Sequence, residues 1–187
     1  MRYIRFIVLL LVLSSIAAEV NSATKVKPLT DSEQKLLGDN KGLLLIGLET
    51  SRDLKSIHLS GPKNIILTSE HIKSGSQYLL VDLKVGIYTI KKIRLDNVRY
   101  LKFKDTENWN FSIKPGVINY VGHFELVQIG FFASSGAAVE LVNRSSEALQ
   151  FLQLEYPSTL KRNRIKYAGP GEDDFFDFLY RKKMIAE

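Results

Sequence analysis

The chain of 187 residues contains no cysteine. Small exported domains with weak cores often depend on disulfide bonds, and structural zinc sites usually include thiolate ligands. Disulfide bonds and zinc sites with thiolate ligands are therefore excluded here, as is a lipid attached to cysteine. A chain of this length buries about two thirds of its surface on folding, which is enough for one main domain that holds together without cross-links.

The chain also lacks the short motifs of the common catalytic sites. No Gly-x-Ser-x-Gly, His-Glu-x-x-His or phosphate-binding glycine loop occurs in it. Residues 158–161 have the Ser-x-x-Lys form of penicillin-binding enzymes, but the Ser-Asp-Asn and Lys-Thr-Gly companions that give this pattern meaning are missing. We therefore expect a protein that is not an enzyme and that uses no cofactor.

Histidine is scarce, and His58, His71 and His123 are far apart in the sequence. Their separations match no local metal-ligand spacing. An acidic cluster at residues 172–177 lacks the Asp-x-Asp-x-Asp-Gly order of a calcium loop, and acidic residues in a first helical turn are favourable in any protein. We expect no metal site.

No apolar run at the start of the chain is long enough to cross a membrane. Two arginines precede an uncharged apolar stretch at residues 6–18, which Glu19 closes. A membrane-spanning helix needs about 20 residues, whereas a basic start, a short apolar stretch and small residues after it are typical of an export signal. The sequence predicts cleavage after Ser22 or Ala23, a mature protein outside the cytoplasm, and no role in binding nucleic acid.

Short strands dominate the prediction for the rest of the chain. Runs rich in Ile, Val, Leu, Tyr and Phe recur about every ten residues, with turn residues between them. The predicted strands span residues 43–48, 55–59, 64–68, 77–83, 87–95, 98–103, 110–113, 117–124, 125–130 and 137–143. This spacing favours an antiparallel β-sandwich over alternating strands and helices. Simple alternation places Lys91 and Ile93 on one face of the strand at 87–95, and Ile90 and Lys92 on the other.

Three parts follow the predicted signal. Residues 24–42 form a polar segment in which Asp31 is positioned to cap a short helical turn. Residues 43–143 form the sandwich domain, and residues 144–187 form a helical extension packed on it. The extension has two predicted helices, one that begins near residue 145 and stops at Pro157, and one at residues 172–183.

The strongest charge feature is a basic stretch between two tyrosines. Its residues are Lys161, Arg162, Arg164 and Lys166, with Tyr156 and Tyr167 beside them. Such a run is often a solvated loop, and such tyrosines often anchor a helix end. The alternative is that these six residues bind a small or lipidic anionic ligand, such as a phospholipid headgroup, lipopolysaccharide or another envelope polymer.

Two short segments of the sequence resemble segments of known protein families. Residues 83–90 read LKVGIYTI, and residues 111–122 read FSIKPGVINYVG. The first resembles the turn and strand of transthyretin-like and carboxypeptidase-regulatory-like sandwiches, in which a glycine (here Gly86) allows a sharp turn and a tyrosine (here Tyr88) covers the core. The second is similar to a phrase found with it in bacterial envelope proteins of the DUF2846-like kind. The resemblance implies a transthyretin-like sandwich in the bacterial periplasm, and implies no catalytic residues.

These observations favour a non-enzymatic exported protein that binds another envelope component. The basic stretch supports an alternative, a binder of a small or lipidic anion. A further alternative is an envelope hydrolase that uses His123 together with Glu125, since alternate residues of a strand share a face. The sequence predicts no oligomeric state.

Overall fold

The computed structural model describes residues 22–31, 39–104, 109–129 and 136–186. Residues 1–21 of the predicted export signal lie outside these ranges, and so does nearly all of the predicted helical turn after Asp31. Among the described residues, no helix is both long enough and apolar enough to cross a membrane.

Eleven strands and three helices occur within the described ranges. The strands are β1 (Thr24–Lys25), β2 (Lys41–Thr50), β3 (Ser56–Ser60), β4 (Ile65–Thr68), β5 (Gly75–Lys84), β6 (Gly86–Arg94), β7 (Tyr100–Lys102), β8 (Asn110–Ile113), β9 (Val117–Ile129), β10 (Gly136–Val142) and β11 (Arg164–Tyr167). The helices are α1 (Ser145–Glu155), α2 (Pro157–Arg162) and α3 (Phe175–Ala186). The chain is mainly β, as predicted, but it has a third helix that the sequence pattern did not predict.

The strands form two mixed sheets. The first has the order β1-β4-β3-β6-β7, with β8 also paired to β6, and the second has the order β10-β9-β2-β5, with β11 also paired to β9. Three pairings are parallel, namely β1 with β4, β2 with β9, and β11 with β9. The prediction of an antiparallel fold is therefore wrong in these places. Each parallel pair joins strands that are distant in the sequence, whereas the turn signals report only neighbouring strands.

The second sheet is the middle of three layers. One face of β2, with Leu44, Ile46 and Leu48, shares an apolar cluster with strands of the first sheet. Its other face, with Leu43 and Leu45, packs with residues of the helices. The apolar run at residues 43–48 thus forms a strand buried on both faces, as its composition predicts.

Residues 24–31 tie the three layers together. Strand β1 extends the first sheet beside β4, and the Leu29 amide donates a hydrogen bond to the Leu80 carbonyl in the second sheet. The Asp31 carboxylate accepts hydrogen bonds from the backbone amides of Ser158 and Thr159. Asp31 therefore caps the distant helix α2. Desolvation raises the pKa of Asp31, but these hydrogen bonds outweigh it and bring the pKa below its ordinary value.

Strand β9 is one long strand where the sequence pattern predicts two. Leu45 lies opposite Tyr120 but Gly47 lies opposite His123, so β9 carries one residue more than β2 between these pairs. Gly122 has a φ of 109° within this β-bulge, a conformation that favours glycine. The extra residue reverses the alternation, so that Tyr120 and His123 both lie on the helix side of the sheet.

A second irregularity lies in β6. His58 of β3 is opposite Lys92, whereas the next residue, Leu59, is opposite Ile90. Lys91 is therefore extra, and both Ile90 and Ile93 face the core between the sheets. The simple alternation predicted for residues 87–95 is wrong after residue 90 because of this insertion.

Candidate functional site

A groove opens in the helical layer. Its volume is about 540 Å³. The apolar side chains that line it include Leu149 of α1, Leu160 of α2, Ile165 of β11, and Phe176, Leu179 and Tyr180 of α3. Ile165 and Phe176 also belong to the buried cluster on this side of the sheet. The floor of the groove is therefore part of the folded core.

The chain direction changes at Pro157, and this change positions α2 beside the groove. Proline has no backbone N–H and disfavours helical geometry in the residue before it. Tyr156 has φ of −136° and ψ of 46°, so α1 ends there and α2 begins at Pro157. The basic stretch is therefore not the solvated loop that such runs often form, because residues 161 and 162 end helix α2 and residues 164–167 form β11.

Polar groups are few along the groove. Lys161 is the charged residue among those that line it, and Gln153 contributes an amide. Both side chains are exposed. The groove thus combines an apolar floor with one cation at its solvent edge, an arrangement that matches a ligand with an apolar body and an anionic end.

The two tyrosines of the predicted ligand site have structural partners. The Tyr156 hydroxyl donates a hydrogen bond to the Leu29 carbonyl, and the Tyr167 hydroxyl donates to the Pro170 carbonyl. Both rings pack against the helix-side core. Burial raises the pKa of the Tyr167 hydroxyl, and the charge of Asp173 raises it further. Neither tyrosine lines the groove.

The four predicted cations are divided between two elements. Lys161 and Arg162 end α2, whereas Arg164 and Lys166 belong to β11. The Arg164 guanidinium lies 5.3 Å from the centre of the Tyr180 ring, in a cation–π contact. Of the six predicted ligand residues, all of which are described, Lys161 alone lines the groove.

A second polar cluster surrounds Arg144, at the start of α1. Its guanidinium bonds to the Glu125 carboxylate, lies 2.9 Å from a Glu49 oxygen, and lies 3.5 Å from a Glu147 oxygen. These carboxylates come from β9, β2 and α1, so Arg144 joins the helical layer to the second sheet. No local sequence pattern points to Arg144, because its sheet partners Glu49 and Glu125 are distant in the sequence.

His123 lies beneath this cluster and is fully buried. Its Nε2 atom is 3.9 Å from a Glu49 oxygen, and its ring meets the Tyr78 ring edge to face at a centroid distance of 5.2 Å. Among the described residues, neither ring nitrogen has a hydrogen-bond partner. Burial lowers the pKa of His123 and the Arg144 charge lowers it further, against the opposing effect of the carboxylates. His123 is therefore a neutral core residue out of reach of solvent, and Glu125 is engaged by Arg144.

His123 should make the fold less stable as the pH falls. Its folded pKa lies below the ordinary value of about 6.5, so the unfolded chain takes up a proton that the folded protein does not. Stability is then lost as the pH drops below about 6.5, with a limiting slope of about 1.4 kcal/mol per pH unit. Urea unfolding across this range should show a flatter pH dependence for His123→Gln than for the wild type.

His58 is the matched control for this experiment, because its pKa is also lowered, first by burial and then by Lys92 and Arg94. It is less buried than His123, so His58→Gln should flatten the curve less. Parallel curves for the wild type and His123→Gln would contradict the assignment of a neutral buried imidazole.

The acidic cluster also has a structural role. The Asp173 carboxylate accepts hydrogen bonds from the side chains of Asn143 and Ser145 and from the Phe175 amide. Burial raises the pKa of Asp173, but these hydrogen bonds lower it overall. In the described part of the chain, no group of three or more His, Asp or Glu residues is arranged to hold a metal ion.

Comparison with protein-family models, with curated proteins and with solved structures returns no match for this chain.

Proposed function

We propose that this chain is an exported, non-enzymatic binding protein whose helix-side groove takes an amphipathic anion. The ligand has a long apolar chain and a carboxylate or similar headgroup. The observation that carries the proposal is the groove of about 540 Å³ with an apolar floor and Lys161 at its edge. Ligand sites typically occupy about 300–1,000 Å³ and combine apolar walls with a few polar groups.

The alkyl chain of the ligand should contribute more to the binding affinity than its headgroup does. Each methylene removed from water contributes about 0.8 kcal/mol. Lys161 is exposed, and an exposed ion pair contributes about 1 kcal/mol at most. The affinity for the ligand should therefore rise with the length of its alkyl chain, while the headgroup fixes the direction in which the ligand lies in the groove.

This ligand is of the anionic kind that the basic stretch suggests, but of the cations in that stretch we assign only Lys161 to the binding site. We also propose that the protein is exported to the periplasm and that the groove is the surface through which it binds an envelope component. The proposal of no enzymatic activity is supported by the position of His123, since its imidazole is shielded from solvent.

We also propose that the two facing sheets are a variant of the transthyretin-like sandwich. Two features of the resemblance support this. Gly86 has a φ of 140° at the turn from β5 to β6, and Tyr88 is fully buried in the core between the sheets. The parallel pairing of β2 with β9 and the helical layer would then be additions to that fold.

A fluorescent long-chain fatty acid tests the proposed function. Titration should show saturable binding at one site per chain, and shortening the alkyl chain should weaken it. Replacing the carboxylate by an alcohol of equal length should weaken it by up to about fivefold, because the Lys161 ion pair is exposed. Absence of saturable binding at every chain length would refute the proposal.

A further inference from the structure

A row of basic residues crosses the outer face of the first sheet. Strand register places Lys25 opposite Ile66, Ile66 opposite His58, and His58 opposite Lys92. Lys92 in turn lies opposite Lys102. Directly opposite residues share a face of a sheet, and the residues that follow His58, Ile66 and Lys92 on their strands, namely Leu59, Leu67 and Ile93, face the core. Three lysines and a histidine thus span five strands, about 19 Å.

Folding alone does not explain this row. Like charges directly opposite each other on neighbouring strands are destabilising, and Lys92 is opposite Lys102. Within the described residues, Lys25, Lys92 and Lys102 make no ion pair with a carboxylate. The charge of Lys92 also helps to keep the neighbouring His58 neutral, after the larger effect of burial. The row therefore concentrates positive potential that an external anion would relieve.

A hollow beside the row is of a size and chemistry to hold an anionic headgroup. Its volume is about 290 Å³. The side chains at its wall include those of His58, Ser60, Asn64, Lys91 and Lys92. Hydroxyl and amide donors next to ammonium groups are the donors that phosphate oxygens accept from.

Exposed apolar side chains accompany the lysines. Ile87 is 68% exposed on β6, Tyr100 is 52% exposed on β7, and Val98 is 83% exposed in the turn between these strands. Lys102 Nζ lies 5.5 Å from the centre of the Tyr100 ring. A soluble polyanion would leave these side chains in water, whereas a lipid bilayer offers them its interfacial region, where tyrosine is favoured.

We propose that the outer face of the first sheet docks on an anionic membrane surface. Lys25, Lys92 and Lys102 contact the headgroups, and Ile87, Val98 and Tyr100 enter the interface. This surface is on the side of the molecule opposite to the helical layer, because the second sheet lies between them. Membrane docking thus goes beyond the proposed ligand binding and does not depend on it.

Co-sedimentation with vesicles of phosphatidylcholine, with and without phosphatidylglycerol, tests the proposal. The purified protein should partition more strongly onto the phosphatidylglycerol vesicles, and added salt should weaken this binding. A lysine near an anionic bilayer contributes about fivefold in affinity. The double variant Lys92→Gln/Lys102→Gln should therefore lose about 25-fold, and its circular dichroism should match that of the wild type.

The matched control is Arg162→Gln/Lys182→Gln, which removes the same charge from exposed positions of the helical layer that do not line the groove, and it should retain binding. Equal losses for the two double variants would show that net charge alone governs binding and would overturn the docking face. Absence of a preference for phosphatidylglycerol would overturn the proposal, as would binding to soluble heparin without binding to vesicles. Phosphatidylglycerol is itself an amphipathic anion, but Lys92→Gln/Lys102→Gln leaves the groove intact, so its loss of binding reports on the docking face and not on the groove.

Discussion

Gly47→Ala is expected to destabilise the protein by about 3 kcal/mol, at the upper end for adding a methyl group to a packed core. A Cβ atom at Gly47 would lie 2.1 Å from Nδ1 of His123. The two positions are this close because β2 and β9 run parallel, with Gly47 opposite His123. Both strands are central to the second sheet, so neither backbone can move without disturbing its other neighbours. Urea unfolding at neutral pH measures the loss.

A double variant separates the steric effect from a general intolerance of side chains at this position. His123→Ala removes the ring that the new methyl group meets. The double variant Gly47→Ala/His123→Ala should therefore lose less free energy of unfolding than the two single variants lose together, by at least about 1 kcal/mol. Gly116→Ala is the control, because nothing lies within 4 Å of its added Cβ and only its φ of 67° is unfavourable. Additive effects at Gly47 and His123 would contradict the parallel register.

Gln153→Trp should lower the affinity for a long-chain fatty acid at least tenfold. Gln153 lines the groove with an exposed side chain, so an indole there occupies the space that the alkyl chain needs without altering the core. Losing the burial of two methylenes already costs about 1.6 kcal/mol, which is more than tenfold. The fluorescence titration measures the change.

Leu154→Trp is the matched control on the same helix. Leu154 is 71% exposed and does not line the groove, so this variant should bind the fatty acid as the wild type does. The two variants should unfold at similar urea concentrations, because both changes are at the surface. Equal binding by Gln153→Trp and the wild type would place the ligand elsewhere.

The sequence predicts strands well where local pattern decides the outcome. The buried run at residues 43–48 and the strand β8 both form as predicted. Gly122 interrupts an apolar strand pattern, and such a glycine is a recognised sign of a β-bulge. The bulge at Lys91 has no such sign, because lysine is acceptable at any exposed strand position. Parallel pairing of β2 with β9 is decided by long-range packing and leaves no local pattern.

The candidate site is less accessible to sequence reasoning than the fold. The basic stretch lies in the part of the chain that forms the groove, and Lys161 is one of the groove's lining residues. The groove itself depends on how α1, α2, β11 and α3 pack together, which residue spacing does not reveal. Tyr156 and Tyr167 resemble ligand-stacking residues in sequence, yet their hydroxyl partners at Leu29 and Pro170 make them structural.

The location of a bound alkyl chain shows whether the helix-side groove is the ligand site. Methyl-labelled protein can be titrated with a long-chain fatty acid and followed by nuclear magnetic resonance. The methyl signals of Leu149, Leu160, Ile165 and Leu179 should shift together and saturate at one ligand per chain, since all four side chains line the groove. Saturable shifts confined to methyl groups of the first sheet, with these four unchanged, would contradict this assignment.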